Sequence, residues 1–186
     1  MNSVWFGKKG SMARNLIIFY SRRGFNYSCG EVKFLEKGNT EIAVNFMKRV
    51  MADVDVFEIT PVKQYSDDYY KCTEEAKIEY KNNSRPELKQ YLDNIDGYER
   101  VFICGPCWWG TYPMAVFSQL ERLKWKGKQV YFLVTHEGSK LGNCERDLTK
   151  VCKGAVIHPG FATYGTGIED SEDSIVKWCR EALLVK

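Results

Sequence analysis

The sequence predicts a doubly wound α/β fold: a five-stranded parallel sheet in the order 2-1-3-4-5, with helices on both faces. Three observations lead there. Short apolar runs alternate with segments of helical periodicity along the chain, the pattern of a parallel sheet with crossover helices. The apolar runs are continuous rather than alternating, as strands buried on both faces require. Five such runs and about five helical segments within 186 residues suit that strand order.

The first strand is NLIIFY (15–20), ending at Ser21. The second is VDVFEI (54–59), closed by Pro61. RVFICG (100–105) and QVYFLVT (129–135) are the third and fourth, and AVIHPGFAT (155–163) holds a weaker fifth. Helices fill the intervals. TEIAVNFMKRVM (40–51) gathers Ile42, Val44, Phe46, Met47 and Val50 near one face. DDYYKCTEEAKIEYKNN (67–83) reads as a less regular helix, and RPELKQYLDNIDGY (85–98) as a turn followed by a short helix. PMAVFSQLERLK (113–124) spaces Val116, Leu120 and Leu123 for a helix, with Pro113 suited to its first turn. NCERDLTKVC (143–152) and EDSIVKWCREALL (172–184) complete the set.

This length supports one domain with a full core. It is placed at residues 15–186, with residues 1–14 expected to be a leader outside the fold. Hydrophobic content of 44% and charged content of 27% are ordinary for a globular protein. No apolar run reaches the ~20 residues that span a bilayer, and the opening residues lack the apolar stretch of a secretory signal. A cytoplasmic location without membrane contact is the expectation. Of the 27 basic residues, Lys8, Lys9 and Arg14 lie in the leader, so the folded part nearly balances its 24 acidic residues. No basic stripe points to nucleic acid. Seven scattered cysteines read as reduced thiols. No second close pair of Cys or His joins Cys104/Cys107, so no metal site is expected.

Ligands of doubly wound sheets sit beyond the carboxyl ends of the strands, where the strand order reverses. Three loops belong there. The first, SRRGFNYSCGEVKFLEKGNTEIA (21–43), places Ser21 and Gly24 at a strand end and Gly38-Asn39-Thr40 at a helix opening. Unpaired N–H groups and hydroxyls at a helix N-terminus make a phosphate site. The plainer alternative makes Asn39 or Thr40 an ordinary N-cap. The loop is neither a Walker A motif nor a dinucleotide fingerprint. The second loop holds PCWWGTYP (106–113). Trp108 and Trp109 form either a stacking wall for a planar ring or a cap on the core, and Gly110 frees the backbone beside them. The third, THEGSKLGN (135–143), is small and polar and could face the polar edge of a heterocycle or merely lead into a helix. Three such loops at the three expected positions are more specific than any one.

With these residues in view, the sequence resembles a flavodoxin of the type in which a short insertion splits the phosphate loop. IIFYSRRG, KGNTEIA, YERVFICGPCWWGTYPMAVFSQLE and GKQVYFLVTHEGSKLGNCERDL carry the likeness, with RPEL less specific; together they span about residues 15–184 in family order. The resemblance implies FMN as cofactor and electron transfer as function. It assigns Ser21, Asn39 and Thr40 to the FMN phosphate, with Arg23 and Gly24 beside them. Pro106, Cys107, Trp108, Trp109, Gly110 and Thr111 would line one side of the flavin, with Trp109 the favoured stacking residue. Thr135, His136, Glu137, Gly138, Ser139 and Gly142 would line the other. It also implies a loop peptide that turns over on reduction, placed at Gly110–Thr111. The insertion, residues 25–37, is expected to form a small hairpin beside the phosphate end.

Three departures stand out. Arg23 replaces a small hydroxyl residue, and either adds positive charge at the phosphate or points away. Lys140 replaces a usual glycine. The near-neutral balance contrasts with the acidity typical of flavodoxins, which bears on partner choice and redox poise.

Cys104-Gly105-Pro106-Cys107 also spells a thioredoxin motif. That chemistry needs an exposed first cysteine at a helix N-terminus, whereas Cys104 ends a buried run and no helix begins at the motif. Two functions remain. One is a low-potential electron carrier, a monomer or weak dimer that serves redox partner proteins. The alternative is an enzyme, an FMN-dependent NAD(P)H oxidoreductase of quinone, azo or nitro compounds. The enzyme would need a nicotinamide pocket, for which no extended insertion is evident.

Overall fold

The computed structural model describes residues 15–185; the leader expected at 1–14 lies outside them. The main sheet is built from β1 (Asn15–Phe19), β4 (Val54–Glu58), β5 (Arg100–Pro106), β6 (Gln129–His136), β7 (Val156–Ile157) and β8 (Phe161–Tyr164). Its order is β4-β1-β5-β6-β7, with β8 also paired to β6 and every pairing parallel. This is the predicted order 2-1-3-4-5. The weak fifth strand is two short pieces, because His158-Pro159-Gly160 interrupts it. Pro159 has no N–H to give a ladder, and Gly160 lies so close to the Phe132 ring that a Cβ there would overlap it.

The continuous apolar strands divide their side chains between two cores. Leu16, Ile18, Val101, Ile103, Val130 and Phe132 face α3 (Met114–Leu120) and α4 (Cys144–Val151). Ile17, Phe19, Phe102, Cys104, Tyr131 and Leu133 face α1 (Asn39–Val50) and α5 (Glu172–Leu184). Alternation in a strand is what distributes a solid apolar run between two helical layers. α2 (Tyr69–Lys81) begins at Asp68, whose side chain accepts the Lys71 N–H at 2.8 Å, an N-cap in the ordinary sense.

The insertion forms a two-stranded antiparallel hairpin, β2 (Gly24–Ser28) and β3 (Glu31–Leu35). Cys29 and Gly30 at its tip have φ of 49° and 91°. Two left-handed residues give the turn whose twist matches a two-residue hairpin.

The short helix expected within 85–98 does not form. Leu88, Leu92 and Ile95 are buried at helix-like spacing, but in irregular chain. Their backbone is satisfied elsewhere: Val62 N–H donates to Glu87 O at 2.8 Å and Lys89 N–H to Thr60 O at 2.8 Å. The buried Gln119 side chain accepts from Leu92 N–H at 2.9 Å and donates to Leu92 O at 3.0 Å. One amide thus does for Leu92 what a helical turn would have done.

Gln119→Leu keeps the volume and strands both Leu92 groups. Each stranded buried group costs about 1–3 kcal/mol, so a loss of roughly 2–6 kcal/mol is expected. Urea unfolding followed by circular dichroism measures it; a loss within error of zero would show that the amide is dispensable.

Candidate functional site

The strands β1, β5, β6 and β8 end together at the carboxyl edge, and four connections rise there. The first leads into α1. Gly38, rather than Asn39 or Thr40, takes the N-cap position, with no side-chain cap. A Cβ on Gly38 would overlap Ser21 Oγ and the Arg22 carbonyl, so only glycine lets the chain enter the helix this close to β1. Ser21 Oγ accepts the Glu41 N–H at 3.0 Å. Thr40 Oγ1 lies 2.8 Å from Thr135 Oγ1, joining the helix mouth to β6. The N–H groups of Asn39 and Thr40 have no acceptor within the helix. The Ser21 hydroxyl proton, and one of the two shared by Thr40 and Thr135, are also free to donate. This donor set fits a phosphate, and it carries no formal charge.

Arg23 points away from it. Its guanidinium pairs with Glu41 at 2.9 Å and with Glu58 at 2.9 Å, and those carboxylates hold its pKa above the usual value. Of the two alternatives for Arg23, the geometry takes the second. Gly24, with φ of 87°, turns the chain into the hairpin.

The second connection, after β5, is a tight turn. Trp108 N–H donates to Thr111 O at 2.7 Å and Thr111 N–H to Trp108 O at 3.2 Å. Trp109 and Gly110 between them have φ of 52° and 84°. A tryptophan in the left-handed region is strained. Trp109 is held by α2: its indole N–H donates to Thr73 O at 3.0 Å, and Lys77 Nζ sits 4.9 Å from its ring centroid. Trp108 turns inward and meets the edges of Tyr20 at 5.5 Å and Tyr65 at 5.1 Å. The Gly110 carbonyl accepts from Asn143 N–H at 2.6 Å, so the peptide expected to turn over is tied to the third connection. Thr111 is buried under the turn.

The third connection follows β6. Burial pushes the His136 imidazole below its ordinary pKa, and its Nδ1 accepts the Gly138 N–H at 2.9 Å. Lys140, at the usual glycine position, has φ of 51°, the conformation that favours glycine. Gly142 also has positive φ, 52°, and a Cβ there would stand 2.5 Å from Gly110 O and 3.1 Å from Cys107 Sγ. Close packing of the second and third loops therefore requires this glycine.

Between these loops lies a cavity of about 330 Å³. The predicted residues Asn39, Pro106, Cys107, Trp108, Thr135, His136, Glu137 and Ser139 line it. It adjoins a second cavity of about 360 Å³, bounded by α2 and the hairpin, where Trp109 faces. Cys107, Trp108, Asn26 and Tyr69 border both. Ser21 and Thr40 support the first cavity from the helix mouth. Arg23, Gly24, Gly110, Thr111, Gly138 and Gly142 shape the surrounding loops without lining either cavity.

Four wall residues were not singled out from the sequence: Asn26, Tyr27, Tyr69 and Gly165. Tyr27 stacks on Tyr69 at 6.1 Å, which brings the hairpin over the mouth. Ser28 Oγ lies 3.0 Å from Thr166 Oγ1, and Glu137 accepts from Thr166 N–H at 2.6 Å. Gly165 follows the last strand at the same carboxyl edge, so the rule that located the other loops also points to it. Nothing in the sequence pairs Tyr27 with Tyr69. Among the described residues, no cluster of His, Cys, Asp and Glu could hold a metal, and no helix is long and apolar enough to cross a membrane.

A family model described as Flavodoxin matches residues 32–182. Among solved structures, a putative flavoprotein from Bacteroides uniformis is 22% identical with a TM-score of 0.71, covering 90% of this chain and 98% of its own. A flavoprotein from Lactobacillus acidophilus in complex with FMN is 20% identical with a TM-score of 0.59, covering 87% and 99%. Flavodoxin 2 from Bacillus cereus, in its oxidised form, is 14% identical with a TM-score of 0.53, covering 91% and 97%. No curated protein matches the chain.

The cavity wall holds one activated thiol. The Cys144 thiol, then Ser139 and the Gly110 backbone, favour the Cys107 thiolate more than burial opposes it and bring Cys107 down to about 7. Alkylation of Cys107 by iodoacetamide should therefore rise with pH through a midpoint near that value, since only the thiolate reacts. Cys144→Ala removes the largest of these influences and should move the midpoint upward. Mass spectrometry of the Cys107 peptide across a pH series checks both; an unchanged midpoint would remove Cys144 as the cause.

Proposed function

The chain belongs to the flavodoxin family, and on that premise we propose that it is an FMN-binding electron-transfer protein. The observation that carries this reading is the cavity at the carboxyl edge of the sheet, with an uncharged donor cradle at one end and an aromatic wall at the other. The N–H groups of Asn39 and Thr40, with the hydroxyls of Ser21 and Thr40, would hold the phosphate. The positive end of the α1 dipole would add to them. Trp108, braced by Tyr20 and Tyr65, would give the flat ring a rigid face. Pro106, Thr135, His136 and Ser139 would line its polar surroundings, with burial favouring the neutral form of His136. Bound FMN would supply reversible uptake and release of electrons. The protein would orient it, exclude water behind it and leave an edge open to a redox partner protein.

The carrier reading is favoured over an NAD(P)H reductase of quinone, azo or nitro compounds by what stands over the mouth. Among the described residues, the addition there is the hairpin with Tyr27 against Tyr69, which covers part of the mouth.

Titration of the protein with FMN and with riboflavin tests the cradle. A hydrogen bond to a charged group contributes about 1.5–3 kcal/mol, so Ser21→Ala should weaken FMN by roughly tenfold or more. It should leave riboflavin, which lacks the phosphate, nearly unchanged. Arg23→Ala should leave FMN affinity within about twofold, because an exposed ion pair contributes little. Trp108→Ala should weaken FMN more than Trp109→Ala does, the reverse of the ordering expected from sequence. Equal affinity for FMN and riboflavin would remove the phosphate role. Anaerobic reduction by dithionite but not by NADPH is expected; direct reduction by NADPH would replace the carrier with the reductase.

A further inference from the structure

Two further cavities lie on the face between α3 and α4. One, of about 400 Å³, runs from Thr111 and Met114 to Glu121 and Lys150. The other, of about 610 Å³, continues from Glu121 and Lys150 to Lys126 and Lys153. Glu121, Lys150 and Val151 border both, so the two form one groove. Its upper end is Thr111, in the turn that carries Trp108.

The charges along this groove do not cancel. Arg85 is committed to Glu121 at 2.8 Å, and Arg146 to Asp147 at 3.0 Å. Lys150 stands 4.0 Å from the same Asp147. Lys124, Lys126 and Lys153 are exposed and have no ion pair among the described residues. The lower part of the groove therefore gathers Lys124, Lys126, Lys150 and Lys153 around one carboxylate that is already paired. The fold holds them there. Gly127 N–H donates to Gly154 O at 2.9 Å, and a Cβ on Gly154 would stand 3.2 Å from Lys126 Cα. These two left-handed glycines, with φ of 80° and 85°, press the connection bearing Lys126 against the one bearing Lys153. A helix dipole favours Lys150 in the last turn of α4. It does not explain Lys124 and Lys126, which lie in the connection to β6, past the last turn of α3. Like charges gathered in this way repel, and a complementary anion relieves the repulsion.

We propose that this groove is a docking surface for an extended acidic segment of a partner protein. That the partner is the one exchanging electrons with the cofactor rests on the flavodoxin reading; the groove reaches the Thr111 turn of the flavin loop, which suits that role. The shape selects the occupant. The groove is long and open along α4 from Arg146 to Val151, and the following connections carry it on to Lys126 and Lys153. An extended chain fits such a path, with alternate carboxylates recurring roughly every 7 Å on one face. Met114, Phe117, Leu123 and Trp125 are buried in its floor, so none of these apolar side chains projects toward a bilayer. Single-stranded nucleic acid stacks its bases on exposed rings, and at the lysine end Trp125 is only 3% exposed.

The test uses the whole chain, with and without added FMN, and a fluorescein-labelled hexaglutamate peptide. Fluorescence anisotropy at low salt should show saturable binding that weakens as salt is added. Lys126→Glu/Lys153→Glu should bind at least about tenfold more weakly. Lys48→Glu/Lys177→Glu, the same charge change on α1 and α5, should stay within about twofold. Carbodiimide coupling of hexaglutamate to the parent protein, followed by digestion and mass spectrometry, should link it to Lys124, Lys126, Lys150 and Lys153. This result is read on the parent, so it decides the matter even where a variant does not fold. Absence of saturable binding, links mainly to other lysines, or equal losses in the two variants would overturn the proposal. So would tighter binding of an oligothymidylate of the same charge. Peptide binding does not require the cofactor. Failed FMN uptake with the peptide still bound would therefore remove the flavin reading alone, and lost peptide binding with FMN uptake intact would remove the groove alone.

Discussion

The site depends on one aromatic ring packed closely against one glycine. Tyr112 is fully buried, and its ring lies so close to Gly105 of β5 that a Cβ there would stand 2.8 Å from the ring carbon Cδ1. The Tyr112 hydroxyl reaches the Ile103 carbonyl at 3.2 Å and the Leu133 carbonyl at 3.0 Å, bonding to β5 and β6 at once. A buried tyrosine needs such partners for its polar end. This anchor fixes where the chain leaves the sheet, and the turn at 108–111 follows directly before it. With the turn seated, Trp108 is directed inward, and Gly110 presents its carbonyl to Asn143. The third loop is thereby held to the second. Larger side chains at Gly105 or Gly142 would separate layers that the cavity needs in contact.

The electrostatics follow the same economy. The chain places a cation, Arg23, next to the helix mouth, then commits it to Glu41 and Glu58. The cradle is left to dipoles and hydroxyls. Its donors are N–H groups already aligned by α1 and the hydroxyl proton that the Thr40–Thr135 pair leaves free, so an arriving anion would require little reorganisation. Arg23 instead ties the loop to the first turn of α1 and to β4, holding the cradle's shape from behind.

The strand order and both helical layers were legible in the sequence because burial on two faces leaves solid apolar runs that no other element produces at that length. The hairpin was legible from the turn residues Cys29-Gly30 between β-formers. The missing helix at 85–98 was not, because Leu88, Leu92 and Ile95 carry helical spacing while Gln119, far along the chain, satisfies the backbone at Leu92. A periodicity reading cannot see a partner supplied by tertiary structure. The loop positions at the site could be read from the carboxyl-edge rule. Which tryptophan faces inward could not, since it is decided by Thr73 and Lys77 on α2. The swap of glycine for Lys140 was visible, and its left-handed backbone shows why glycine is usual there.

The hairpin enters and leaves the fold at almost the same point, since Gly24 and Leu35 are paired across it. A segment whose two ends meet imposes no length on the chain that carries it, and its closure costs the host little entropy. Residues 24–35 thus form a closed module between the Ser21 and Gly38 ends of the cradle. Phe25 and Phe34, exposed at 45% and 63%, sit on that module and not on the sheet. The split in the loop thus puts an exposed aromatic face on one segment and the donors of Ser21, Asn39 and Thr40 on the segments either side of it.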